Sequence, residues 1–202
     1  MDTIQLNESG VVFNREANNY ELNGKYLSGI TDMLHRQLFP NEFDGVPAEM
    51  IEQAALYGTS VHTSIEQFDS SWTNDGTQEV ADYIDICHNN ALTHERSEYC
   101  VTDGANWASN IDKVFRLSSD TFALADIKTF GTMTADKQEK ARWQLSIYAY
   151  LFELQNPNAT VGKLYIIHLR NKVYIKSTNR ITAYIKAKRK FPKAKSVKVV
   201  KR

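Results

Sequence analysis

The sequence contains little of what holds small secreted domains together or carries a chain across a membrane. Only two of its 202 residues are cysteines, and no C-x-x-C spacing occurs. We therefore expect neither a disulfide framework, nor a structural zinc site, nor a four-cysteine iron–sulfur cluster. No run of about 18 apolar residues predicts a transmembrane helix, and the N-terminal segment lacks the basic and apolar regions of a secretory signal. These absences predict a cytoplasmic protein with no membrane partner.

Acidic side chains are missing from the last quarter of the chain. Up to Glu153 there are 10 Lys/Arg and 24 Asp/Glu, whereas from Leu154 onward there are 14 Lys/Arg and no acid. Such segregation suggests a polyanion partner for the basic part. The alternative is that the basic segment is solvated or covers the protein's own acidic face. The residues that we predict to bind a nucleic-acid backbone are Lys186, Lys188, Arg189, Lys190, Lys193 and Lys195.

The apolar patterning predicts an α/β fold with a central mixed sheet flanked by helices. Ser28 is the expected cap of the first helix, and Pro40 is expected to stop that helix. We expect Leu154 to lie on the apolar face of the helix that spans 135–155, together with Trp143 and Ile147. Gly58 either kinks its helix or permits close packing. The predicted elements are a β-hairpin over 11–27, helices over 28–38, 48–68, 77–92, 135–155 and 179–190, and strands over 94–102, 108–117, 121–129, 161–169 and 173–176.

An Asp-x-Lys pattern lies at the end of one predicted strand. Residues two apart on a strand point to the same face, so Leu124, Asp126 and Lys128 should share one face. A simple ion pair is one interpretation of this pattern. The other is a metal-binding carboxylate beside a lysine that orients a water or holds developing charge during phosphodiester hydrolysis.

Asp112 on the preceding strand strengthens the second interpretation. A hairpin with a short turn near Ser119 places Asp112 roughly opposite Asp126. Two facing carboxylates repel each other unless a positive charge lies between them, and Mg²⁺ or Mn²⁺ would supply it. The alternative is that a nearby cation, one of Lys113, Arg116 and Lys128, neutralises them.

Two helical pairs complete the set of candidate residues. His62 is followed one turn later by Glu66, within an otherwise apolar helix stripe. Gln144 and Tyr148 lie four residues apart and share a helix face. Each of these pairs by itself is compatible with an ordinary packed or surface position.

The order and spacing of these residues resemble the PD-(D/E)XK nuclease superfamily, most closely its RecB-like branch, which includes phage-type exonucleases. The matching motifs are Gly58-x-x-x-His62, Ile111-Asp112, Asp126-Ile127-Lys128-Thr129 and Gln144-x-x-x-Tyr148, within about residues 57–154. The resemblance implies a restriction-endonuclease-like core over 48–178, preceded by a hairpin and helix appendage over 1–47. A basic C-terminal helix and tail over 179–202 would follow, within a single structural domain.

The resemblance also implies a role for each motif residue. Asp112 and Asp126 would bind the metal with the backbone carbonyl of Ile127, and His62 would be a further ligand. Lys128 would be the catalytic lysine. Gln144 and Tyr148 would shape the site and contact the DNA strand, and Glu66 would add a supporting carboxylate. The usual Pro before the first Asp is missing, as are the cysteines of an iron–sulfur clamp.

The implied function is a Mg²⁺- or Mn²⁺-dependent DNA exonuclease that hydrolyses phosphodiester bonds with a metal-activated water, in recombination, repair or phage DNA processing. A sequence-specific endonuclease, a non-cutting nucleic-acid-binding module and a partner-binding domain with ordinary ion pairs are the alternatives. No Walker loop is present, so ATP-driven unwinding would need a helicase or recombination partner. A homo-oligomer is compatible with the sequence.

Overall fold

An eight-stranded mixed sheet with two flanking layers of helices forms the part of the chain that the computed structural model describes, residues 3–170 and 174–180. The predicted fold class is confirmed. The strands are β1 (Val12–Asn14), β2 (Asn19–Leu22), β3 (Lys25–Gly29), β4 (Thr93–Thr102), β5 (Trp107–Arg116), β6 (Thr121–Lys128), β7 (Thr160–His168) and β8 (Tyr174–Thr178). The helices are α1 (Ile30–Leu38), α2 (Ala48–Ser71), α3 (Gln78–Asn89) and α4 (Ala135–Gln155).

Strand β5 is the centre of the sheet because three strands pair with it. Strand β4 pairs along one side of β5 over its whole length, as an antiparallel partner. The other side is shared, since β3 pairs in parallel with the start of β5 at Ala108, and β6 pairs antiparallel with its end, from Lys113 to Arg116. On that side, the stretch of β5 between Ala108 and Lys113 therefore pairs with neither β3 nor β6.

The two faces of the sheet carry separate apolar cores, as the alternation along β6 predicts. Leu124 packs in the core beneath α1 and α4. Ala123, Ala125 and Ile127 pack in the core beneath α2 and α3. The sheet is thus covered on both faces, and side chains that alternate along β6 point into different layers.

Helix α4 is buried around most of its circumference. Ala141 and every residue from Trp143 to Ala149 are buried. The prediction of one apolar face that included Leu154 was wrong, because Leu154 is exposed. The helix packs against both the sheet and α1, so it has an apolar neighbour on more than one side.

The segment before residue 47 is integrated with the sheet and the main core. Strand β3 joins the N-terminal hairpin to β5, and Ile30, Met33 and Leu34 of α1 are buried in the core that contains α4. The predicted cap was wrong, because Ser28 pairs with Trp107 in the sheet and Gly29 holds the N-cap position. The division of the chain at residue 47 stays a prediction.

Helix α2 continues three residues beyond its predicted end. Gly58 permits a close approach, since a Cβ atom there would lie 3.2 Å from Thr129 Oγ1. This contact brings α2 against the end of β6. The predicted helix over 179–190 lies almost entirely outside the described residues. No described helix has both the length and the apolar character that crossing a bilayer requires.

Candidate metal centre

The predicted site residues meet where β5 and β6 separate. The antiparallel register pairs Lys113 with Ala125, and its continuation places Asp112 opposite Asp126, as the sequence predicts. At this point the Ile127 N–H donates a 2.6 Å hydrogen bond to Asp112 Oδ2. A carboxylate thus accepts the hydrogen bond that a ladder carbonyl would otherwise accept.

His62, Glu98 and Asp112 form a compact group of metal-ligating side chains. Each offers one ligand atom, and these atoms all lie within 4.8 Å of one another. His62 Nδ1 is 3.8 Å from Asp112 Oδ2 and 3.9 Å from Glu98 Oε1. One imidazole and two carboxylates suit Mn²⁺ or Mg²⁺ by their chemistry, so the residues present fit a hard divalent cation.

Glu98 is the member of this group that the sequence reasoning missed. Strand β4 pairs with β5 so that Ser97 lies opposite Lys113 and Tyr99 opposite Ile111, which places Glu98 opposite Asp112. Glu98 has φ +48°, a left-handed backbone conformation that is rare and costly for a non-glycine residue in a strand. A turn at Asp103-Gly104 predicts this pairing, so a signal for Glu98 was present in the sequence.

Asp126 lies outside the three-residue group and is paired with Lys128. Lys128 Nζ is 2.7 Å from Asp126 Oδ2. Asp126 Oδ2 is buried, and its described polar contact is this charge-assisted pair with the Lys128 ammonium. Asp112 and Asp126 together carry more negative charge than the one Lys128 ammonium balances, so a cation would be attracted to this site.

A negative charge on Asp126 is costly, because this carboxylate is buried and lies close to the Asp112 carboxylate. Burial raises the pKa of Asp126 above its ordinary value, and the Asp112 carboxylate raises it further, against the opposing effect of Lys128. Burial lowers the pKa of Lys128, but Asp126 and Asp112 outweigh burial, and the net pKa is raised. Lys128 is therefore a charged ammonium at neutral pH.

His62 responds to the same carboxylates. Burial lowers the pKa of His62, but Asp112 and Glu98 outweigh that effect and the net pKa is raised. Binding of a metal needs the neutral imidazole, so a metal ion and a proton would compete for His62.

Gln144 and Tyr148 lie beneath the site. Lys128 Nζ donates to Gln144 Oε1 at 3.3 Å, and Gln144 Nε2 donates to the Tyr148 hydroxyl at 2.7 Å. Ser109 Oγ also donates to that hydroxyl, at 3.0 Å. Their predicted shaping role fits this chain of bonds. Their contact with a DNA strand stays a prediction; both side chains are buried in this structure, with Tyr148 1% exposed.

The remaining charged residues near the site have partners elsewhere. Glu66, predicted as a supporting carboxylate, accepts hydrogen bonds from Arg15. Of the three cations that could have neutralised the facing carboxylates, Lys113 pairs with Asp69 and Arg116 pairs with Glu95. Among these three, and within the described residues, Lys128 alone pairs with one of the two carboxylates. The predicted nucleic-acid-binding residues Lys186 to Lys195 lie outside the described residues.

Comparison with known proteins gives no family for this chain. No family model matches it, and no curated protein matches it. Among solved structures it is similar to one named "Crystal structure of SSO0001", with 13% sequence identity and a TM-score of 0.46 over 79% of this chain and 70% of that chain. A likeness this distant carries no argument about function.

Proposed function

We propose that this protein is a divalent-metal-dependent nuclease that hydrolyses DNA phosphodiester bonds, as the PD-(D/E)XK resemblance implies. One observation carries the proposal: the ligand atoms of His62, Glu98 and Asp112 converge within 4.8 Å, next to a buried Asp126 that is paired with Lys128. Structural ion pairs do not need a histidine and a row of three acids on adjacent strands.

His62, Glu98 and Asp112 would hold the cation. When bound, Mg²⁺ or Mn²⁺ would neutralise phosphate charge and lower the pKa of a water. Asp126 faces Asp112 across the strands and would complete the negative side of the site. The Ile127 N–H holds the Asp112 carboxylate in place. The backbone carbonyl of Ile127 stays the predicted further ligand.

Lys128 would stabilise the charge that develops on the phosphate. It is protonated at neutral pH because Asp126 and Asp112 raise its pKa, so it supplies a positive charge rather than a base. Gln144 accepts one of its hydrogen bonds and is itself fixed by Tyr148. This chain of bonds sets the direction in which the ammonium points.

Exonuclease action is the form of the proposal that the resemblance favours, with DNA as substrate and with a recombination or helicase protein as the expected partner. Digestion of end-labelled linear DNA and of covalently closed circular DNA tests it, with Mg²⁺, with Mn²⁺ and with chelator. We expect metal-dependent loss of the linear DNA alone. Asp126→Asn and Lys128→Met should abolish the loss, and Asp32→Asn, which changes an exposed aspartate of α1, should not.

Other outcomes separate the alternatives. Cutting of the circular DNA would identify an endonuclease. The Lys128 ammonium already neutralises Asp126 at 2.7 Å, and this contact favours a non-cutting nucleic-acid-binding module as the second candidate. DNA binding without any cleavage, under every metal condition, would support that candidate and contradict the proposal.

A further inference from the structure

A cavity of about 330 Å³ opens beside the metal-ligating group, between the N-terminal hairpin and α2. Phe13, Arg15 and Asn18 line it from the hairpin, and His62 and Glu98 line it from the metal centre. Thr59, Thr63 and Glu66 are among the residues that line it from α2. Its volume lies at the lower end of the range of small-molecule sites, about 300–1,000 Å³. A group held at the metal centre would therefore have this cavity as its neighbour.

Arg15 supplies a cation at the rim of the cavity. Its Nη2 atom donates to Glu66 Oε2 at 2.9 Å and to Glu66 Oε1 at 3.2 Å. An exposed pair of this kind contributes only about 0–1 kcal/mol to stability, so the fold does not depend on it. Arginine has five N–H donors in a fork that matches phosphate, and both described bonds use the same nitrogen.

The position of Arg15 complements that of Lys128. Lys128 lies on the α4 side of the acidic row and Arg15 lies on the α2 side. Arg15 is close enough to the metal-ligating group for Glu98 to contribute to the rise in its pKa, after the larger effect of Glu66. A polyanionic strand crossing the acids would meet a cation on each flank.

Phe13 adds an aromatic surface to the same cavity. Its ring stacks on Tyr20, with centroids 4.6 Å apart and planes 25° apart, so its orientation is fixed before any ligand binds. Aromatic rings bind unpaired bases by stacking, at about 1–3 kcal/mol per base. A cation, threonine hydroxyls and a fixed ring correspond to the phosphate, sugar and base of one nucleotide.

We propose that this cavity is a nucleotide subsite, in which Arg15 binds the phosphate next to the one at the metal centre and Phe13 stacks on the base. Glu66 holds the guanidinium in position until a phosphate replaces the carboxylate. The inference rests on the proposed nuclease function. The part of the substrate that occupies this subsite is then an unpaired nucleotide, because a base within a duplex has no free face for Phe13.

Binding of a short single-stranded oligonucleotide to Asp126→Asn protein, titrated over a salt series, tests the subsite without cleavage. We expect Arg15→Gln to raise the Kd about tenfold, as for a lost charge-assisted hydrogen bond. It should also reduce the slope of log K against log salt by about 0.7. Arg36→Gln is the matched control, because Arg36 is 59% exposed and paired with Asp32, as Arg15 is 58% exposed and paired with Glu66. The control should change neither quantity.

A double-mutant cycle with Glu66→Gln separates a phosphate-binding Arg15 from a structural ion pair. Glu66→Gln should tighten binding in the parent, because it frees Arg15, and should have no effect once Arg15 is glutamine. If the pair were structural, both single variants would weaken binding. Phe13→Leu keeps an apolar side chain and should abolish the fluorescence quenching of a 2-aminopurine base in the bound oligonucleotide.

Cleavage by wild-type protein, measured in parallel, separates failure of the subsite from failure of the nuclease function. Metal-dependent cleavage together with an unchanged Kd and salt slope in Arg15→Gln would overturn the subsite and leave the nuclease proposal standing. Absence of both binding and cleavage in the wild type would overturn both.

Discussion

Two Lys–Asp pairs in this protein have nearly equal lengths and opposite surroundings. Lys113 Nζ is 2.6 Å from Asp69 Oδ2, and Lys128 Nζ is 2.7 Å from Asp126 Oδ2. The first pair lies under α2 and α3, and the second lies on the other face of the sheet, toward α4. Distance alone does not separate a structural pair from a functional one.

The Lys113–Asp69 pair is a closed network. Lys113 Nζ also donates to Ser97 Oγ at 2.7 Å, and Asp69 accepts hydrogen bonds from Tyr83 and Ser97. Lys113 is 3% exposed, and neither member of the pair has a buried unpaired atom among the described residues. A satisfied pair of this kind has no remaining capacity for a ligand.

The Lys128–Asp126 pair is open by the same measures. Lys128 is 22% exposed, so it can reach a ligand. Asp126 Oδ2 contacts the Lys128 ammonium, whereas Asp69 accepts hydrogen bonds from Lys113, Tyr83 and Ser97. Asp126 also faces a second carboxylate, that of Asp112. The comparison teaches that solvent access and like charges held together, rather than distance, distinguish the pair that a cation and a phosphate would stabilise.

The largest expected effect is the loss of catalysis in Asp126→Asn. The rate of DNA cleavage should fall about 10²–10⁴-fold. The free energy of unfolding should fall less than in Asp69→Asn, because Lys128, which loses its counter-charge, is 22% exposed and the Asp112 carboxylate loses a repelling neighbour. Initial rates on end-labelled DNA and urea unfolding measure both quantities. A full rate with a large loss of stability would make this pair structural, like the other.

The opposite result is expected at the closed pair. Asp69→Asn should lower the free energy of unfolding by about 3–5 kcal/mol, because it leaves a buried Lys113 without its counter-charge. The cleavage rate per folded molecule should not change. Asp32→Asn breaks an exposed pair with Arg36 and should cost no more than about 1 kcal/mol. Lost cleavage in Asp69→Asn at full stability would place this network in the active site.

A smaller effect is expected for Glu98→Gln. This variant tests whether the group of His62, Glu98 and Asp112 binds a cation. The affinity for Mn²⁺ should fall at least about tenfold, since one of three convergent ligands loses its charge. Asp32→Asn is the control and should leave the affinity unchanged, because Asp32 is an exposed residue of α1 that pairs with Arg36. Isothermal titration calorimetry measures both. Equal affinities in Glu98→Gln and wild type would remove Glu98 from the metal centre.

The smallest effect is a pH dependence of stability without metal. Because the pKa of Asp126 is raised in the folded state, the folded protein holds this proton more tightly than the unfolded chain. The contribution of Asp126 to stability is therefore present at low pH and is lost as the pH rises above the ordinary value of 3.8 through the raised pKa. Urea unfolding in chelator should show a steeper fall in stability for wild type than for Asp126→Asn. Parallel curves would contradict the raised pKa.

Local patterns in the sequence predicted a large part of the fold and of the site. Alternation along β6 assigns Asp126 to one face and Ile127 to the other, because the side-chain period of a strand is two. The short turn at Ser119 places Asp112 opposite Asp126 by counting. Such features depend on residues close in sequence, so they can be predicted without the rest of the chain.

Tertiary structure decided which charges meet. Glu98 joins His62 only because β4 pairs with β5 while α2 crosses the same edge, and Glu66, next to His62 on the helix, turns instead to Arg15. Lys113 and Lys128 are both lysines beside candidate acids in the sequence, yet one is enclosed by α2 and α3 and the other is left with an incomplete set of partners. These outcomes depend on contacts between distant segments, because the surroundings of a charge, and not its residue type, set whether it is satisfied.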